Sequence, residues 1–207
     1  MDFEVHWNQI YSSQPVRMLS WYETKPGPSL KLLDKCGLGI EDPILDVGVG
    51  ASTFIDCLVE KGFQNLYAVD ISEIALDKLK SRLGEEKASR VSWIVDDVTK
   101  PTRLAQLSKI ALWHDRALLH FLTEEEHRQI YKRTLINAVR QGGFVIIAAF
   151  SPQGAKQCSG LKVQNYDQNS LAEFLGKSFE LKEWFDYLYT MPSGDLRPYI
   201  YTLFQRQ

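Results

Sequence analysis

Acidic residues stand where apolar runs end along this chain. Asp46 sits inside Ile44-Leu45-Asp46-Val47, Asp70 closes Leu66-Tyr67-Ala68-Val69, Asp96 and Asp97 follow Val91-Ser92-Trp93-Ile94-Val95, and Asp115 follows Ile110-Ala111-Leu112-Trp113-His114. Directly after the first run come Gly48 and Gly50, which let the backbone turn sharply and lie against a ligand with no Cβ in the way. Ser52 or Thr53 is placed to cap the next helix, whose amide-rich N-terminus then faces whatever sits on the glycines. Asp70 lies about twenty residues beyond the glycines, the spacing at which a carboxylate takes both hydroxyls of a ribose. Asp97 can accept from an exocyclic amino group while the Val98 N–H donates to a ring nitrogen. The third glycine of the dinucleotide fingerprint is missing, and no lysine or arginine ends the first three runs, so a pyrophosphate is not the expected guest. A nucleoside that carries cationic groups and no phosphate suits this row of carboxylates.

Such a row needs strands to carry it. Apolar runs near residues 44–47, 66–70, 91–95, 110–113 and 144–150 alternate with helical periodicities, and five such alternations demand a parallel sheet with right-handed crossovers. Ser29 is expected to cap a helix carrying Leu30, Leu32 and Leu33, and the chain after Arg116 is expected to re-enter a helix. Beyond Phe150 the rhythm changes to a helix at 170–175, extended residues 179–185, a turn at Pro192-Ser193-Gly194-Asp195 and extended residues 199–204. The predicted fold class is therefore α/β, a doubly wound and mostly parallel seven-stranded sheet with a reversed final strand. Ligands bind beyond the carboxyl ends of such strands. In one domain, residues 1–29 read as an aromatic helical cover, 30–150 as the cofactor-binding half, and 151–207 as the acceptor side with an antiparallel hairpin.

Composition bounds the partners. A net charge of −2 creates no field to draw nucleic acid or anionic lipid. Cys36, Cys57 and Cys158 lie far apart, which fits a reducing compartment and excludes a disulfide scaffold. No basic, apolar leader opens the sequence and no apolar run approaches a membrane span, so a cytoplasmic protein is expected, monomeric or weakly dimeric. His6, His114 and His127 are not spaced with carboxylates as metal ligands, so no metal is expected.

Taken in order, Ile-Leu-Asp-Val-Gly-Val-Gly at 44–50, Ala-Val-Asp-Ile-Ser at 68–72 and Asp-Asp-Val at 96–98 resemble the first, ribose and adenine motifs of the class I S-adenosylmethionine-dependent methyltransferases. The reversed last strand matches that family too, and the resemblance spans roughly residues 30–207. It implies S-adenosyl-L-methionine as cofactor, with Asp46, Gly48, Gly50, Asp70, Ile71, Asp97, Val98 and Trp113 around it. Trp113-His114-Asp115-Arg116-Ala117-Leu118 and the N-terminal aromatics resemble the thiopurine and tellurite-resistance type, which implies a small-molecule acceptor. Some protein-lysine methyltransferases share a similar Asp-(Lys/Arg)-Gly start, although Ala117 replaces the glycine here. Asp115 and His120 are the candidate bases, His120 having the suitable ordinary pKa. Trp21 and Tyr22, with Trp113, are candidates for an aromatic wall that meets a sulfonium by cation–π attraction and touches the acceptor. Two rivals stay open. A nicotinamide-dependent oxidoreductase leaves Asp97-Val98 and the reversed strand unexplained, and a non-catalytic S-adenosylmethionine-binding subunit would keep the same motifs.

Overall fold

The computed structural model describes residues 2–207. Its main sheet contains β1 (Ile44–Val47), β2 (Leu66–Asp70), β3 (Val91–Val95), β4 (Ile110–Arg116), β5 (Val139–Phe150), β6 (Phe179–Thr190) and β7 (Leu196–Arg206). Their order is β3-β2-β1-β4-β5-β7-β6, with β7 antiparallel to both its neighbours and the remaining pairs parallel. The order reverses between β1 and β4, which is where the strand-end carboxylates gather.

Strand alternation sends successive side chains to opposite faces. Ile44, Ala68, Leu112 and Ile146 meet the helices α2 (Gly27–Leu33), α3 (Phe54–Glu60) and α4 (Glu73–Leu83). Leu45, Val69, Trp113 and Ile147 face α6 (Glu125–Ala138) and α7 (Gln168–Leu175) on the other side; the short α5 (Glu85–Ala88) links α4 to β3. Ahead of all these, α1 (Phe3–Ser13) starts on Asp2, whose side chain accepts from the Val5 N–H at 3.2 Å. Asn8 of α1 accepts from the Ser72 hydroxyl at 2.7 Å, and Lys78 of α4 donates to the Tyr11 carbonyl, so α1 is tied to the start of α4.

Three local expectations are corrected. Ser29 does not cap α2, which begins at Gly27 behind Pro26; it lies inside the helix. The chain after β4 makes a single 3-10 turn, Leu119–Phe121, because Ala117 takes φ +69° and the Asp115 carboxylate accepts from the Leu118 and Leu119 amides. The fifth strand, expected over 144–150 after a turn at Gly142-Gly143, starts at Val139 and includes both glycines, with a register slip between its pairings with Ile110 and Leu112.

Under the sheet's switch point runs a fully buried polar chain. His114 Nδ1 lies 2.7 Å from Asp46 Oδ1, and His114 Nε2 lies 2.8 Å from Ser29 Oγ, while the ring stacks on Phe54 at 4.0 Å. Buried polar groups hold their place only when paired, and this chain joins β1, β4, α2 and α3 through one imidazole. Replacing His114 by Leu strands both Asp46 and Ser29, and the expected cost is about 2–4 kcal/mol in urea unfolding. A loss below about 1 kcal/mol would mean that the chain does not hold these elements together.

Candidate active site

Asp70 organises the site. Its Oδ2 accepts from the Gly50 N–H at 2.7 Å and its Oδ1 from the Ser72 N–H at 2.8 Å. Gly48 and Gly50, at φ +60° and +50°, make the turn that brings the first of these amides round. Each carboxylate oxygen keeps acceptor capacity toward the cleft, which suits a pair of vicinal hydroxyls. Burial pushes the Asp70 pKa up to about 6; the two N–H bonds oppose it, and the Asp46 charge adds to it.

Beyond β3 the two aspartates divide their work. Asp96 is buried and accepts from the amides of Asp97, Thr102 and Leu104, so it shapes the loop. Asp97 spends Oδ1 on Thr99, at 2.8 Å from both its amide and its hydroxyl, and lines the cleft beside Ile71 and Val98. This cleft measures about 840 Å³ including its open mouth. Asp46 opens onto a smaller adjoining recess beside Gly48 and Trp21, with its Oδ2 buried and unpartnered.

Aromatic residues roof the cleft. A Cβ on Gly50 would overlap the Tyr11 hydroxyl, so α1 lies directly on the glycine turn. Trp7 packs edge to face against Phe121 at 5.0 Å and against Trp21 at 5.8 Å, and Trp21 does the same with Tyr11 at 5.9 Å. These rings offer apolar faces to a ligand and keep water from one side of it.

Away from Asp70 and Asp97 the cleft ends on Arg116, His120, Cys158 and Tyr199. Arg116 Nε lies 2.9 Å from Glu23 Oε2 and 3.0 Å from the Tyr201 hydroxyl, and Nη1 donates to the Trp21 carbonyl at 2.9 Å. Burial works against its charge, but Tyr201, Tyr199 and Glu23 outweigh that and keep it protonated. His120 is wholly buried and its Nδ1 accepts from the Phe150 N–H at 3.4 Å, which leaves the ring proton on Nε2. Burial first, and Arg116 second, lower its pKa to about 3.

The structure thus brings Gly48, Asp70, Ile71, Asp97, Val98, His120 and Trp21 to one cleft, with Asp46 at its edge and Gly50 beneath Tyr11. It sends others elsewhere. Trp113 lies on the α6 face of the sheet and donates to the Tyr131 hydroxyl at 3.0 Å; Asp115 faces the same way and accepts from that hydroxyl at 2.7 Å. Alternation explains both, since residues 113 and 115 share a face and 114 and 116 share the other. Asp115 is therefore walled off from the cleft and bound by three donors, an arrangement that serves the loop after β4. Tyr22 lies outside the lining, its carbonyl accepting from the Tyr189 hydroxyl at 2.6 Å. Arg116 and Phe121 line the cleft and were passed over by sequence reasoning, while Tyr11 and Trp7 entered it only as part of the N-terminal aromatic cover; the same alternation would have picked out Arg116. Asp115→Asn keeps an acceptor for part of this set, so a loss of about 1–3 kcal/mol in stability is expected with the affinity for S-adenosylhomocysteine unchanged. A folded Asp115→Asn protein that binds S-adenosylhomocysteine ten-fold more weakly, by calorimetry, would return Asp115 to the site.

Comparison with known proteins fits this geometry. A family described as a methyltransferase domain matches residues 44–143, from β1 into β5. The EEF1A lysine methyltransferase 2 of Danio rerio is 27% identical over 143 residues, covering 67% of this chain and 54% of the relative, so the match spans about half of that protein. Among solved structures, an S-adenosylmethionine-dependent methyltransferase from Anabaena variabilis superposes with a TM-score of 0.79 at 14% identity, covering 99% of this chain and 93% of that one. The 1,6-didemethyltoxoflavin N1-methyltransferase of Burkholderia thailandensis, solved with 1,6-didemethyltoxoflavin and S-adenosylhomocysteine bound, gives a TM-score of 0.67 at 18% identity over 99% of this chain and 84% of that one. Residues 44–143 thus match a methyltransferase domain, and the chain has the fold of the S-adenosylmethionine-dependent methyltransferases, which the order of its motifs also resembles.

Proposed function

We propose that the protein transfers a methyl group from S-adenosylmethionine to a small-molecule acceptor. The residues fit the cofactor: the Asp70 oxygens suit a ribose diol, Asp97 and Val98 suit an adenine edge, and the unpartnered Oδ2 of Asp46 suits the amino-acid end. Bound there, S-adenosylmethionine supplies a methyl carbon made electrophilic by its sulfonium. The chain's own part is to orient the acceptor and exclude water, and orientation alone is worth several kcal/mol. Trp7, Tyr11, Trp21 and Phe121 form the water-excluding roof, and their faces favour a nearby cation.

The observation that carries the acceptor assignment is the charge at the cleft's far end. A lysine arrives as an ammonium and must lose a proton. The lining there offers the Arg116 cation and an uncharged His120; the lining carboxylates, Asp70, Asp96 and Asp97, belong to the nucleoside row. An acceptor that is uncharged or anionic, and small enough to sit beneath α1, suits that end better. His120, a candidate base by sequence, is a poor one with its pKa lowered to about 3. The favoured acceptor therefore needs no base from the protein, as with an atom already ionised near neutral pH.

Incubation with methyl-tritiated S-adenosylmethionine and a cell extract, split by ultrafiltration into metabolite and protein fractions, tests the reading. Label is expected in the metabolite fraction. Label confined to lysine residues of the protein fraction would replace the small-molecule acceptor by a protein one, as the name of the Danio rerio relative suggests for that protein.

A further inference from the structure

Two hydrogen-bond donors at the acceptor end of the cleft have no partner. His120 Nε2 is buried and unbonded, and so is Nη2 of Arg116. Neither is an accident of a loose side chain. His120 is held between the Phe150 and Phe121 rings, at 4.3 and 4.5 Å, and by the Phe150 amide. Arg116 is held by Glu23, Tyr201 and the Trp21 carbonyl through Nε and Nη1, and its guanidinium lies over the Tyr189 and Tyr199 rings at 5.1 and 5.3 Å. Two hydrogen bonds and an ion pair at Nε and Nη1 thus fix the guanidinium and leave Nη2 without an acceptor. Buried polar atoms without partners are rare in folded proteins; the described residues hold five in side chains, and these two belong to residues that line one end of one cleft.

We infer that His120 Nε2–H and Arg116 Nη2–H form a two-donor seat for an anionic group on a small aromatic or otherwise planar acceptor. This inference deepens the small-molecule reading and rests on it. The chemistry follows from the inventory. Both groups only donate, so the seat takes a group that accepts, and excludes an ammonium. One donor is charged, and in a desolvated pocket a charge-assisted bond favours an anionic partner over a neutral carbonyl. Glu23 balances the guanidinium charge at Nε without pairing with Nη2. Phe121, Trp21 and Tyr199 supply flat apolar walls to either side, which suits a ring or an unsaturated chain behind the anion. Two kinds of group share this chemistry: a carboxylate that anchors the acceptor, and an ionised sulfur or oxygen that itself receives the methyl.

The test is calorimetric titration of the protein saturated with S-adenosylhomocysteine at pH 8, using benzoate, 4-nitrothiophenolate, benzyl alcohol and benzylamine as probes. At least one of the two anions is expected to bind ten-fold or more tightly than the alcohol and the amine. Benzoate alone points to an anchoring carboxylate, and 4-nitrothiophenolate alone points to an ionised methyl-accepting atom. His120→Phe is expected to weaken anion binding at least ten-fold, and His120→Gln, which restores an N–H, to recover part of it. Affinity for S-adenosylhomocysteine serves as the folding control in each variant. If no anion outbinds benzylamine, or if His120→Phe binds the anions as wild type does, the donor seat is overturned while the methyltransferase reading stands. If wild-type protein fails to bind S-adenosylhomocysteine, the methyltransferase reading itself falls.

Discussion

Everything at the site depends on one buried carboxylate. Asp70 ends β2, draws in the Gly50 amide across the sheet, and caps the approach to α4 through Ser72, so turn, strand and helix are pinned to a single charge. Holding that charge out of water is unfavourable for the free protein. With a folded pKa of about 6, above the ordinary carboxylate value, the native state binds the extra proton between about pH 4 and 6. Ionisation through that window therefore costs stability, and the cost stays in place at neutral pH. In the proposed complex, a ligand that donates two hydroxyls to the carboxylate would offset that cost, so binding a nucleoside diol would also relieve the burial.

The roof over the glycine turn follows from the same centre. Gly50 must be glycine for its amide to reach Asp70, and the room left by the missing Cβ is taken by the Tyr11 hydroxyl. The N-terminal helix is consequently docked on the most constrained turn of the fold, tied down by Ser72 and Lys78, with its aromatic face over the cleft. Below the turn, the Asp46–His114–Ser29 chain leaves Asp46 Oδ2 free at the cleft's edge.

Much of this is legible in the sequence, for physical reasons. The alternation of β-type and helical runs fixes a parallel sheet, and the turn at Pro192–Asp195 fixes the reversed strand β7. The glycines and Asp70 are legible because their chemistry needs those residues at that spacing. What is not legible comes from geometry that spacing does not encode. Their place at a strand end groups Asp115 and Trp113 with the site, yet the pleat turns them to α6 while Arg116 faces the cleft. His120 has the ordinary pKa of a base, but burial beside a cation removes that property, and only the packing reveals it. The partnership of Glu23 and Arg116 crosses from the N-terminal segment to β4 and carries no local signal.

The central claim, that an ionised Asp70 holds the nucleoside, is tested most directly by the affinity for S-adenosylhomocysteine as a function of pH. Protonating Asp70 removes an acceptor for the ribose hydroxyls, so with a free-protein pKa of about 6 the affinity is expected to fall about ten-fold from pH 7 to pH 5. In Asp70→Asn, which has no charge to lose, the affinity is expected to be low and flat over the same range. A wild-type affinity that stays constant or tightens between pH 7 and pH 5 would contradict the account.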